Sequence, residues 1–105
     1  MATQGNIAIW NYSKLISKFP EIENNASLKE IIGGDIHPNP FNKGEQLLIS
    51  YDGDNLNSPT GYYPDYEPEN WVRSFDLKSL QKRKAIQLLK FLKEKCLVAD
   101  WCIWD

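Results

Sequence analysis

The sequence has few of the residues on which small catalytic or metal sites are usually built. Its 105 residues include a single histidine, His37, and only two cysteines, Cys96 and Cys102. Two cysteines are too few for a disulfide framework, and a structural zinc ion would need His37 and a carboxylate to complete its ligands. The motifs GxSxG and HExxH and a glycine-rich phosphate loop are also missing. We therefore expect no enzyme, no metal and no cofactor, and we expect both thiols to be reduced and partly buried.

Long apolar runs and an excess of positive charge are absent as well. No stretch approaches the roughly 18 apolar residues that a membrane span needs, and residues 1–6 have neither the basic start nor the apolar core of an export signal. The net charge is -2 and the isoelectric point is near 5.4. A dedicated nucleic-acid binder usually has a basic balance, because the release of counterions supplies its affinity. We expect a cytoplasmic protein without a membrane partner, and nucleic acid is a secondary possibility.

The chain has the size and composition of one ordinary globular domain. A length of 105 residues allows a single core, so residues 1–105 are expected to form one domain. Hydrophobic residues make up 42% of the chain and charged residues 25%, which excludes a disordered or fibrous protein. We find no internal repeat and no linker composition.

The strongest pattern in the sequence predicts a long helix from Leu77 to Cys96. Apolar residues recur there every three to five positions, with lysines and arginine between them, which indicates one buried face. The apolar positions are Leu77, Leu80, Ala85, Leu88, Phe91, Leu92 and Cys96. Asp76 is expected to cap the first turn, and lysines crowd the last turn, where the helix dipole is negative.

Two short helices are expected before this one. The first follows an apolar entry at residues 7–10, is capped by Asn11 or Ser13, and stops at Pro20. The second begins with a capping box between Ser27 and Glu30 and ends at the pair of glycines at 33–34.

Three strands complete the predicted fold. Residues 35–44 have the composition of a loop and lead into a strand at residues 45–51. After a long loop, residues 71–75 alternate apolar and polar side chains and are expected to pair back with that strand. Residues 97–104 form the final strand. The result is an α+β domain in the order ααββαβ, in which a small, mainly antiparallel sheet packs against the long C-terminal helix.

The charges are separated along the chain. Seven of the twelve basic residues lie on the predicted long helix, whereas residues 45–71 contain six carboxylates and no lysine or arginine. Within this range, residues 52–71, here called the acidic segment, combine acids with exposed aromatics. Long irregular loops inside small domains are uncommon and tend to be functional. Tyrosines supply contact area at low entropic cost, and charge of one sign steers a partner of opposite sign. The predicted partner-binding residues are Asp52, Asp54, Tyr62, Tyr63, Asp65, Tyr66, Glu67, Glu69 and Trp71.

Other interpretations of the same residues remain open. The acidic segment could be only a solvated loop. The Asp52 and Asp54 pair could hold a cation, although Leu56 and Tyr63 stand where a calcium loop needs oxygen ligands. A small metal-dependent enzyme could use His37 with Asp52 and Asp54, or with Asp35. A small nucleic-acid-binding module could use the basic face of the long helix at residues 82–84.

The acidic, aromatic segment on a small domain resembles, in kind, the immunity proteins with which bacteria neutralise toxins. These include the immunity proteins of contact-dependent growth inhibition and the inhibitors of secreted ribonucleases. The resemblance rests on the nine predicted partner-binding residues. It implies an antitoxin that works without chemistry, by covering the active site of a cationic toxin domain such as a basic nuclease. Its carboxylates would then occupy the places of substrate phosphates.

Overall fold

A four-stranded antiparallel sheet with helices packed on it forms the fold of the chain. The computed structural model describes residues 4–52, 69, 72–73 and 75–104. The elements in chain order are β1 (Gln4–Asn11), α1 (Tyr12–Lys18), a 3-10 helix (Pro20–Asn24), α2 (Ala26–Ile32), β2 (Asp35–Pro38), β3 (Gln46–Asp52), α3 (Ser79–Lys95) and β4 (Leu97–Trp104). The α+β class, the antiparallel sheet, the long C-terminal helix and the ααββαβ order after β1 are confirmed.

The strand order of the sheet is β2-β3-β1-β4, so β1 and β3 lie in its centre. Ala8 pairs with Ser50, and Trp10 pairs with Leu48, and all four side chains are buried. Side chains alternate across a strand, so these residues share the face that carries the helices. The apolar entry before the first helix is therefore a central strand.

The long helix α3 covers this face with its predicted apolar stripe. Ala85, Leu88, Leu89 and Leu92 are buried in the core, whereas Leu80 is 77% exposed. The helix begins later than the sequence predicts: Lys78 is its N-cap residue, with extended backbone angles and no side-chain capping bond. Asp76 is thus not the cap, and the first two residues of the predicted helix, Leu77 and Lys78, precede the observed one. Across the described residues, no helix combines the length and apolar character needed to cross a membrane.

The two short helices are capped by asparagines. The Lys14 backbone N–H donates to Oδ1 of Asn11 over 2.9 Å, which confirms one of the two expected caps of α1. The Leu28 backbone N–H donates to Oδ1 of Asn25 over 3.2 Å, so Asn25 caps α2 and the predicted Ser27 cap is wrong. The predicted end of α2 is confirmed at Gly33, whose φ of +67° is accessible mainly to glycine.

Two predicted segments have a different structure. Within the expected loop at 35–44, Asp35–Pro38 form the edge strand β2, where a proline without an N–H is tolerated. The expected strand at 71–75 is wrong, because the described residues there make turn bonds. The Arg73 N–H donates to the Glu69 carbonyl over 3.3 Å, and the Phe75 N–H donates to the Val72 carbonyl over 3.1 Å. Val72 and Phe75 are three positions apart, so one helical turn brings both to the core.

Candidate functional site

The predicted partner-binding residues fall mostly outside the described ranges. Those outside are Asp54, Tyr62, Tyr63, Asp65, Tyr66, Glu67 and Trp71. Asp52 and Glu69, near the two ends of the acidic segment, lie within the described ranges. The assignment of this surface to a partner therefore stays a prediction, and the structure shows how its two ends are held.

The N-terminal end of the acidic segment is fixed by the sheet. Asp52 is the last residue of β3 and lies opposite Asn6 of β1. β3 is paired on both sides over residues 47–49, and among the described strands its end at Asp52 is held by β1 alone. The segment thus starts from a defined position.

The C-terminal end is held by an ion pair and by the core. The Lys90 ammonium donates to Oε1 of Glu69 over 2.8 Å, with both side chains about half exposed. This hydrogen bond is the main cause that lowers the pKa of the Glu69 carboxyl. Three residues later, Val72 is only 1% exposed and packs in the core. The acidic segment therefore ends against α3, at a lysine on the middle of that helix.

The basic cluster at residues 82–84 is not a uniform patch. The Lys84 ammonium donates to Oε1 of Glu21 over 2.8 Å and lies 5.5 Å from the centre of the Phe19 ring. The same hydrogen bond lowers the pKa of the Glu21 carboxyl. The Phe19 ring in turn contacts Phe91 edge to face, with 5.7 Å between ring centres. Lys84 thus fastens the 3-10 helix to α3, while Arg83 is exposed.

His37 lies far from Asp52, the first residue of the acidic segment. It is exposed on the edge strand β2 and pairs with Leu47, at the opposite end of β3 from Asp52. Five residues of extended strand separate these positions by about 17 Å. One site therefore cannot use both His37 and Asp52. Among the described residues, no group of three or more potential metal ligands occurs.

The thiol of Cys96 is a core group. Cys96 is 1% exposed and is a free cysteine at the junction of α3 and β4. Burial raises its pKa to about 11, with the positive charge of Lys14 acting weakly in the opposite direction. The thiolate is the reactive form, so this cysteine is unreactive at neutral pH.

A basic surface around Phe91, which the sequence did not reveal, joins α1 to α3. Two shallow depressions of about 510 and 380 Å³ share Phe91 and Lys18 in their walls. The first also has Lys14 in its wall, and the second has Lys90 and Lys95. We call these five residues the Phe91 surface. The walls also contain the carboxylates of Glu45 and Glu94, and Lys90 is paired with Glu69. Lysines beside an aromatic ring suit an anionic or planar ligand. The only sequence signal for it is the clustering of lysines in α1 and at the end of α3.

Searches of family models, curated proteins and solved structures returned no match for this chain.

Proposed function

We propose that this chain is a non-catalytic binding protein that neutralises a cationic toxin domain, such as a basic nuclease, in the cytoplasm. The acidic segment covers the active site of the toxin. The observation that supports this proposal best is that a segment rich in acids and tyrosines, without any lysine or arginine, is fastened to the rigid core at both ends.

Fastening the ends of a binding segment favours binding for an entropic reason. A segment that is free at one end loses more conformational freedom when it docks than a segment whose ends are already placed. Here the ends are set by Asp52 in β3 and by Val72 in the core. More of the contact energy is therefore retained as affinity.

The negative charge of the acidic segment increases the association rate and favours partners of opposite charge. A field of one sign steers an oppositely charged partner and increases the association rate, and this effect weakens as salt is added. In a basic nuclease, the carboxylates would sit where substrate phosphates bind, and tyrosine rings would act as anchors in the centre of the contact.

Glu69 provides a link between the folded core and the partner. Exposed ion pairs contribute little to stability, because solvent screens them and holding both side chains costs entropy. The Glu69 carboxylate can therefore exchange Lys90 for a cation of the partner at little cost to the fold.

The test compares two charge-matched triple variants. The first, Asp65→Asn, Glu67→Gln and Glu69→Gln, removes acids of the acidic segment. The control, Glu30→Gln, Asp35→Asn and Glu94→Gln, removes three exposed carboxylates elsewhere. Affinity for the captured partner is measured by titration calorimetry at several salt concentrations. We expect the first variant to bind more weakly and with a smaller salt dependence than the control. Equal affinity and equal salt dependence in both variants would refute the assignment of this surface.

The Phe91 surface supports a second candidate function, the binding of nucleic acid. Lysines beside the partly buried Phe91 ring can contact phosphates, and the accessible part of the ring can contact a base. The double variant Lys18→Gln and Lys95→Gln should then abolish the retardation of a single-stranded RNA on a native gel. The control Lys29→Gln and Lys43→Gln, which changes exposed lysines outside this surface, should retain it. An absence of retardation of RNA by the wild-type chain at low salt would exclude this candidate.

A further inference from the structure

Phe41 is the most exposed large apolar side chain among the described residues. It is 95% exposed, in the turn that joins β2 to β3. Hydrogen bonds hold this turn: the Phe41 N–H donates to Oδ1 of Asn39 over 2.9 Å, and the Asn39 N–H donates to the Glu45 carbonyl over 2.9 Å. The side-chain amide of Asn42 donates to the Glu45 carboxylate. An aromatic ring on a turn that is already ordered loses little further conformational freedom when a contact buries it.

A small cavity lies on the same edge of the fold, between the end of α2 and the edge strand β2. Its volume is about 200 Å³. The described residues in its wall are mainly apolar and include Tyr12, Ile32, Gly34, Ile36 and Leu48. Ile36 is two residues before the end of β2 at Pro38, a distance of about 7 Å along the strand. The turn that contains Phe41 follows directly, so the ring and the cavity are close neighbours.

The ring of Phe41 matches this cavity in size but does not occupy it in its own chain. Apolar cavities of about 150 Å³ hold benzene, so a cavity of about 200 Å³ accommodates a phenyl ring. A ring that is 95% exposed cannot lie in that cavity. Because the ring and the cavity share one edge, a two-fold axis between two copies can place each ring in the cavity of the other copy. Such a pairing closes on itself, and both contacts form together.

The charges beside the ring and the cavity favour an occupant without a large charge. The turn at residues 39–44 contains one charged residue, Lys43, and Glu45 follows it. The exposed Lys29 is in the wall of the cavity, and the exposed Asp35 begins β2. Both signs are therefore present on each side of the contact, so two copies can meet without a block of like charge. A nucleic acid or a strongly cationic protein would instead fit a surface of one sign.

We propose that two copies of this chain associate about a two-fold axis, with Phe41 of each copy in the cavity beside Ile36 of the other. The four exposed residues of β2 lie next to both features and become part of the contact. Aromatic side chains bury about 150–250 Å² each, so the two rings supply about 300–500 Å². Stable complexes bury roughly 1,200–2,000 Å². The association is therefore weak and reversible, with a dissociation constant above about 10 μM.

Sedimentation equilibrium of the full chain measures this association. Over concentrations from about 10 μM to 1 mM, the average mass should rise from the 12.2 kDa of one chain toward twice that value and should not pass it. The backbone amide resonances of Gly33 and Gly34, in the wall of the cavity, should shift with concentration in a saturable way. Phe41→Ala should remove these shifts, although the ring lies outside the cavity of its own chain.

Matched variants separate this contact from other exposed apolar positions. Phe41→Ala should weaken association about 100-fold or more, because both copies lose a buried ring, whereas Leu80→Ala on α3 should leave it unchanged. Ile36→Glu places a carboxylate in the wall of the cavity and should weaken association, because the incoming ring would desolvate it. Val98→Glu, on β4 at the other edge of the sheet, should not. The four substituted side chains are all exposed, so the variants should fold.

A mixture of two variants tests the exchange of rings directly. Phe41→Ala retains the cavity and Ile36→Glu retains the ring, so a mixed pair regains one of the two contacts, while each variant alone has neither. We expect the mixture to associate more tightly than either variant alone.

The proposal is overturned if the chain stays monomeric up to about 1 mM, or if its mass passes that of two copies. It is also overturned if Phe41→Ala or Ile36→Glu leaves the association intact, if Val98→Glu weakens it as much as Ile36→Glu does, or if the mixture associates no more tightly than the separate variants.

Discussion

Replacement of Tyr12 by phenylalanine is expected to stabilise the protein, the reverse of what most core substitutions do. The hydroxyl of Tyr12 is buried and has no hydrogen-bond partner within the described part of the chain. A buried polar group left unsatisfied costs about 1–3 kcal/mol. We take the lower limit of this range and expect a gain of about 1 kcal/mol. For a chain of this size, that gain raises Tm by about 4 °C or more.

Urea denaturation at pH 7 measures this effect as a higher midpoint with an unchanged m-value. The pH dependence provides a second readout. Since burial raises the pKa of Tyr12 above its ordinary value of 10.0, the unfolded chain loses this proton first. The wild type should therefore lose stability as the pH rises above about 10, and Tyr12→Phe should lose less. A variant less stable than the wild type by about 1 kcal/mol would show that the hydroxyl has a partner and would refute this reasoning.

Three further predictions concern the fold. Asn25→Ala should destabilise the protein by about 1 kcal/mol, because it removes the cap of α2, whereas Ser27→Ala should change the unfolding midpoint little; a larger loss for Ser27→Ala would contradict the observed cap. Since burial raises the pKa of Cys96 to about 11, stability should fall by about 2 kcal/mol between pH 9 and 11, and Cys96→Ala should remove this part of the pH dependence in urea titrations. Leu88→Ala should cost about 2–5 kcal/mol, while Leu80→Ala on the exposed side of α3 should cost less than about 0.5 kcal/mol in thermal unfolding; equal costs would contradict the orientation of the helix.

The parts of the fold that the sequence predicts well have a repeating side-chain pattern. The stripe of α3 and the run of β4 can be recognised because burial imposes a period or a composition on them. The sequence does not predict the central strand β1, because residues 7–10 are uniformly apolar and so lack the alternation that marks a strand. In the structure this strand has neighbours on both sides and partly covered faces. The edge strand β2 was missed because all four of its side chains are exposed, so only backbone bonds define it.

Local sequence patterns predict the wrong structure where the same residues fit two structures. The alternation at residues 71–75 resembles a strand, yet Val72 and Phe75 are also spaced for one helical turn, and the core selects the turn. Ser27 and Glu30 have the spacing of a capping box, but the asparagine two positions earlier takes the cap.

The candidate sites differ in how far the sequence alone predicts them. The acidic segment is a property of composition and can be found in the sequence alone. The Phe91 surface brings Lys14 and Lys18 of α1 next to Lys90 and Lys95 of α3, which are far apart in the chain. Such a surface requires the tertiary fold, as does the cavity beside Tyr12, whose walls come from three parts of the chain.

The central claim is that the chain neutralises a cationic protein, and a tagged pull-down from the host that encodes it tests this claim most directly. The product of the neighbouring gene is tested alongside, for binding and for toxicity when it is expressed alone. We predict a stoichiometric complex with a basic, toxic protein, which the triple variant of the acidic segment fails to retain and its charge-matched control retains. Recovery of no protein partner, or of nucleic acid alone, would contradict the claim.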